Sequence, residues 1–280
     1  MHDALNFFAE LFSYPFMVRA FLVGTMVALC SSLLGVSLVL KRYAMIGDGL
    51  SHVGFGALAL AKACNVAPLT LCIPVVTLSS VLLLRLNSLS RIRGDAAIAL
   101  ISTGALAAGV MILSLSTGMN TDVFNYLFGS ILSMTRSDVL LSTAISVAVL
   151  LLFILCYNRI FAVTFDTSFA RATGTKAELF DTVLALLTSL VIVVGMRMMG
   201  AMLISSLIVL PALSAMRMCR RFKTVVISSA LISVLCLWTG LLISYVAATP
   251  TGASIVACNL LVFAGYCTAE KIRKVRNHEK

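Results

Sequence analysis

The chain has 280 residues, of which 60% are hydrophobic and 11% charged, with a mean hydropathy of +1.07. So few polar side chains could not cover a water-soluble fold of this length, and the apolar runs of about 18 or more residues that recur along it read as membrane-spanning helices. A net charge of +10 raises nucleic acid as a partner, but the placement of the charge follows membrane topology instead, and no nucleic-acid partner is expected.

Residues 1–15 carry Asp3 and Glu10 and no Lys or Arg, unlike the basic start of a cleaved secretory signal, so the first apolar run is expected to be a permanent span. The pattern predicts an all-α, polytopic transmembrane bundle, a single domain over residues 1–280. Its spans fall at roughly 17–40, 44–63, 68–86, 95–115, 138–157, 179–196, 200–216, 224–247 and 253–269. Pro68 suits the first turn of the third span, and Pro74 lies inside it. Asp95 is a candidate cap for the fourth, while Thr175 and Glu178 have the spacing of a capping box at the opening of the sixth. The span at 200–216 is short and holds Pro211; if it were re-entrant, the count would fall from nine to eight.

Alternating the loops between two sides divides the 21 Lys and Arg unevenly. One side receives 17 of them: Lys41, Arg42, Arg85, Arg91, Arg93, Arg159, Arg171, Lys176, Arg217, Arg220, Arg221, Lys223, Lys271, Arg273, Lys274, Arg276 and Lys280. The other receives Arg19, Lys62, Arg136 and Arg197. Basic loops are retained in the cytoplasm, which puts the N-terminus outside a plasma or inner membrane and the C-terminus inside. The eight cysteines form no C-x-x-C pair and sit mostly in apolar runs, where they read as small apolar side chains.

An ionisable side chain within a span costs about 2.5–3.5 kcal/mol and usually lines an interior or a pathway. The second span carries two, in Ile46-Gly47-Asp48-Gly49-Leu50-Ser51-His52. A spacing of four places Asp48 and His52 on one helix face, roughly 8 and 13 Å inside the start of the span. A carboxylate and an imidazole on adjacent turns suit a divalent transition metal. A hydrogen bond that joins helices and a proton relay fit the same spacing. Neither H-E-x-x-H nor G-x-x-x-x-G-K-[ST] occurs, so neither a metalloprotease nor an ATPase is expected of the chain itself. Asn259 reads as a hydrogen-bond partner for a neighbouring helix, and Met196, Met198, Met199 and Met202 as packing.

Between the fifth and sixth spans, Asp166 can cap a short helix that runs to Ala172 or Thr173, and Gly174 can end it. That helix would show Phe169 to water, either as a docking knob for a partner or as a connector dipping into the lipid interface.

Taken together, these segments resemble the permease subunits of metal-ion ABC importers. The matching pieces are Leu38-Val39-Leu40-Lys41-Arg42, Ile46-Gly47-Asp48-Gly49-Leu50-Ser51-His52, Tyr126-Leu127-Phe128-Gly129-Ser130-Ile131-Leu132, the Phe165 to Gly174 loop, Gly200-Ala201-Met202-Leu203-Ile204-Ser205-Ser206-Leu207-Ile208-Val209-Leu210-Pro211-Ala212 and Thr249-Pro250-Thr251-Gly252. They run in consistent order from about residue 15 to residue 270. One departure stands out: many members follow the histidine with Ala-Val-Leu-Pro-Gly, where this chain has Val53-Gly54-Phe55-Gly56-Ala57. The resemblance implies a transport subunit, not an enzyme, that works as a homodimer on two cytoplasmic ABC ATPase subunits and receives its cargo from an extracytoplasmic metal-binding protein. It implies Asp48 and His52 on the metal path, and Asp166, Phe169, Ala170, Arg171 and Gly174 in the ATPase-coupling element. No permanently bound cofactor is expected; the metal, zinc ahead of manganese, is the substrate. The competing expectations are an ATPase-independent secondary transporter or channel, and an intramembrane enzyme using Asp48 and His52 as acid and base.

Overall fold

A computed structural model describes residues 13–89, 94–116 and 136–278. Among the described residues there is no strand, and each expected span is a helix. These are α1 (Pro15–Leu40), α2 (Ile46–Ala63), α3 (Pro68–Leu89), α4 (Gly94–Ser116), α5 (Arg136–Phe165), the short α6 (Thr167–Ala172), α7 (Ala177–Met199), α8 (Ala201–Met218), α9 (Phe222–Ala247) and α10 (Thr251–His278). The Tyr126 to Leu132 segment and Arg91 and Arg93 lie outside the described residues.

The expected count of nine crossings is not supported. Seven of these helices are long and apolar enough to cross a bilayer by length and composition; α2 and α3 fall short. Asp48, His52 and Lys62 lower the hydropathy of α2, and the apolar stretch of α3 is described only over Pro68–Leu83. α2 is nevertheless enclosed, packed against α3, α4, α7 and α8. A helix shielded by protein does not need the all-round apolar surface that lipid demands. The segment at 200–216 is helical throughout as α8, with Pro211 inside it, so no re-entrant turn is present there.

The centre of the bundle is built on α1 and α7, whose apolar windows are 67% and 61% buried, against 22% for α4 and α5 at the periphery. Packing is close where side chains vanish. A Cβ on Gly35 of α1 would meet the backbone carbonyl of Ile208 in α8, and one on Gly56 of α2 would stand 2.7 Å from the carbonyl oxygen of Ala105 in α4. Small residues that let backbones meet are a common way to hold helices together in lipid, where hydrophobic burial between helices contributes little.

Side-chain contacts collect the basic helix ends at one end of the bundle. Lys41 at the end of α1 pairs with Asp181 near the start of α7. Arg159 of α5 donates to Thr175 ahead of α7 at 2.9 Å. Tyr157, Phe161 and Phe165 of α5 surround Phe222 at the start of α9, with ring centroids 5.0–5.8 Å apart. Arg217 of α8 pairs with Glu270 of α10 at 3.2 Å. At the opposite end, Arg197 of α7 meets Asp138 of α5 at 3.1 Å. There α7 and α8 are joined by Gly200 alone, whose φ of 89° and ψ of 157° lie in a region essentially reserved for glycine.

Three local expectations need correction. The fourth helix begins at Gly94, one residue before the cap expected at Asp95. The Thr175–Glu178 capping box does not form: α7 starts at Ala177 with Lys176 as an uncapped N-cap, because the Thr175 hydroxyl receives Arg159 and Glu178 turns to Arg171. Asn259 bonds within its own helix, its Nδ2 donating to the Ile255 carbonyl at 3.0 Å, not to a neighbour. By contrast Pro68 opens α3 as expected, and Met196, Met198 and Met199 are packed in the core, whereas Met202, expected to pack with them, is 48% exposed. All eight cysteines are free thiols.

Candidate functional site

Helix α2 leaves the connector after α1 through a hydrogen-bonded turn. The Arg42 amide donates to the Val39 carbonyl and the Tyr43 amide to the Leu38 carbonyl. This is a Schellman arrangement, with Arg42 in the left-handed position (φ 62°) that glycine usually takes. The first turns of α2 are therefore set by α1.

Gly47 and Gly49 are offset by about 100° on either side of Asp48 around the helix. Gly47 faces α8, where an added Cβ would lie 3.1 Å from Ile208 Cδ1 and 3.6 Å from Ser205 Cα; Gly49 faces Ile98 of α4. Asp48 thus projects between α4 and α8, and His52 lies one turn further along the same stripe. Residues 46–55 are otherwise buried; Asp48 and His52 break the pattern. Their side chains are 50% and 23% exposed, and His52 Nε2 stands 3.5 Å from Asp48 Oδ2. That separation is ion-pair range but too long for a strong hydrogen bond. Two donors on a tetrahedral ion with bonds of ~2.1 Å lie about 3.4 Å apart, so the pair has the bite of two ligands of one ion. Among the described residues no group of three or more His, Cys, Asp or Glu could hold a metal; Asp48 and His52 stand as a pair.

At the basic end, the Asp166 carboxylate accepts from the amides of Ser168 and Phe169, each at 2.9 Å, the cap expected at the start of α6. Gly174, with φ 79°, closes the helix: its amide donates to Arg171 and that of Thr175 to Ala170. Ala170 is fully buried in a small cluster with Val163, Ala177 and Phe180, which seats α6 on α5 and α7. Phe169 points the other way and is 62% exposed. Arg171 and Glu178 form an exposed pair at 3.4 Å beside it. The structure thus keeps the metal-type pair and the α6 element as separate sites. The sequence reading passed over Asp181, a carboxylate inside the expected sixth span; its presence there was the signal that it needed a partner, which is Lys41.

A many-helix membrane bundle with an Asp–His pair on an enclosed helix and a capped helix displayed at one end has the architecture of a membrane permease. The chain belongs to the ABC 3 transport family, whose profile matches residues 13–269. The manganese transport system membrane protein MntC of Halalkalibacterium halodurans is 27% identical over 264 residues, 94% of this chain and 90% of that one. ZnuB of Haemophilus influenzae, a high-affinity zinc uptake system membrane protein, is 27% identical over 250 residues, 89% of this chain and 96% of its own. Among solved structures, PsaBC from Streptococcus pneumoniae in complex with Fab aligns with a TM-score of 0.83 at 25% identity, covering 94% of this chain and 95% of that one.

Proposed function

We propose that the chain is the membrane-spanning permease subunit of an ABC importer that carries a divalent transition metal into the cell, with hydrolysis of ATP on separate ATPase subunits. The observation that carries this reading is the 3.5 Å separation of His52 Nε2 and Asp48 Oδ2 on a helix enclosed by membrane spans. Zinc is placed ahead of manganese as cargo, and one carboxylate with one imidazole is a donor set that suits either ion. The names of the relatives divide between the two metals.

The partly exposed pair also supports a second copy. A carboxylate and an imidazole left uncovered between α4 and α8 at membrane depth are costly, and a second copy against that face encloses them in a shared path. The passing ion completes its coordination there with water, backbone oxygens or the second copy. An extracytoplasmic metal-binding protein delivers it. The one-ended charge supports a cytoplasmic basic end and an outside N-terminus, with α2, shielded by its neighbours, and α3 as eighth and ninth spans. α6 then faces the ATPase, with Phe169 as its contact.

In cells lacking other importers, Asp48→Asn and His52→Ala should each reduce zinc uptake at least about tenfold, since loss of supporting groups around metal ligands alone costs 10–100-fold. Normal uptake by both variants at normal membrane abundance overturns the assignment. Metal transport by the purified chain in liposomes without an ATPase would favour a secondary transporter.

A further inference from the structure

The element that meets the ATPase and the pair that meets the metal belong to different helices, and one ion pair spans the gap between them. α6 is seated on α7 through Ala170, Ala177 and Phe180. One turn beyond Ala177, Asp181 of α7 pairs with Lys41. Lys41 is the C-cap of α1, its own amide donating to Ser37, and it is followed directly by the hydrogen-bonded turn at Arg42 and Tyr43. From that turn α2 rises, with Ile46 buried and Asp48 in its first turn. The Lys41 side chain is only 10% exposed and that of Asp181 30%, so the contact is partly shielded from solvent. A charge of either sign left there alone would be poorly hydrated, which makes the pair act as a unit.

Resting on the proposed function, we infer that Lys41 and Asp181 are positioning residues for transport: their ion pair transmits movement of α6 and the start of α7 to the first turn of α2, and so to Asp48 and His52. Neither side chain touches the ion. The pair fixes where the metal-binding turn stands when the ATPase contact is engaged. The turn between Lys41 and Ile46 is suited to pass on displacement because its amides at 41, 42, 43 and 46 are all bonded to carbonyls within the segment or α1. The left-handed Arg42 leaves it little freedom to relax otherwise.

The test uses the permease co-expressed with its ATPase and binding protein, and reads two quantities: uptake of radioactive zinc and of radioactive manganese, and ATP hydrolysis by the purified complex. Lys41→Met and Asp181→Asn should each lower uptake about tenfold, within the usual range of coupling between sites, while the ATPase still co-purifies and still hydrolyses ATP. The exchange Lys41→Asp with Asp181→Lys should restore most of the uptake. A merely structural pair would lower hydrolysis and complex yield in step with uptake. Normal uptake in either single variant, or failure of the exchange to restore it, overturns the inference. If Lys41→Met does not reach the membrane, Lys41→Arg and Asp181→Glu take its place; these keep the charges and alter the reach, and should hydrolyse ATP normally with less metal moved per ATP. Equal transport per ATP in both then overturns it. Should Asp48→Asn and His52→Ala also transport normally, the proposed function itself has failed; if only those two lose uptake, the positioning inference fails alone.

Discussion

Glycine to alanine should have opposite consequences at two positions of the α2–α4 pair. At Gly56 the new Cβ would stand 2.7 Å from the Ala105 carbonyl oxygen and 3.4 Å from its carbon. Carbon–oxygen contacts of this kind settle near 3.3–3.6 Å, so the helices must part locally by about half an ångström or more. The obstacle is helix backbone, which has no rotamer to change. Overpacking of this kind costs about 1–3 kcal/mol, set against about 0.5–1 kcal/mol gained by replacing glycine inside a helix. A net loss of roughly 1–2 kcal/mol follows, or about 5–30-fold in the folding equilibrium. Gly104 lies on α4 with nothing within 4 Å of an added Cβ, so Gly104→Ala keeps the helix gain and should stabilise by about 0.5–1 kcal/mol. Reversible unfolding in mixed detergent, followed by far-UV circular dichroism, measures both. If Gly56→Ala falls within about 0.5 kcal/mol of the parent, or the two substitutions shift stability in the same direction, the close backbone approach is not what holds α2 to α4. The Gly56 variant should also lose metal uptake, since α2 carries Asp48 and His52 on the face beside that contact.

Asp166→Ala removes the acceptor for two amides and should destabilise α6 by about 0.5–2 kcal/mol; hydrogen exchange should accelerate at residues 168–173 and be unchanged in α7 beyond its first turns. Gly200→Ala forces an L side chain into the α7–α8 corner and should cost about 1–3 kcal/mol by the same unfolding assay; an unchanged midpoint would show that the corner can relax. Glu178→Ala should cost less than about 0.5 kcal/mol, because its pair with Arg171 is exposed and it caps nothing; a larger loss would restore the capping box. Phe169→Asp should abolish co-purification of the ATPase without changing unfolding, whereas retained association would place the contact elsewhere.

The helices were legible because each apolar run has one interpretation in a chain too apolar to fold in water, and α6 because Asp166 and Gly174 mark its two ends. The helix ends were less so. The fifth was expected to stop near residue 157, where Asn158 and Arg159 suggest an interface, yet α5 continues to Phe165 since Arg159 finds Thr175. The last was expected to stop near 269, yet it continues through a charged segment supported by Glu270 and Lys274 at 2.6 Å, four residues apart. The capping box failed for a reason no local pattern contains, namely competition for one hydroxyl from a residue on another helix. The i, i+4 spacing of Asp48 and His52 could be read directly. That they project between α4 and α8 depended on which glycine meets which neighbour, and that is tertiary information.

The corner at Gly200 has a consequence for how this chain tolerates change. After α1, α2, α8 and α9 the next helix follows through several residues, and a tag, a protease site or an extra residue could be taken up at the surface. Between α7 and α8 there is one residue, in a backbone state that only glycine holds at ease. Five positions before it and four after, Gly195 and Ile204 are already in contact across the pair. An insertion there would not lengthen a loop; it would rotate one helix against the other and take Ser205 and Ile208 away from α2. Epitopes for mapping sidedness therefore belong at other turns, and this corner is where a single added residue should be lethal to folding.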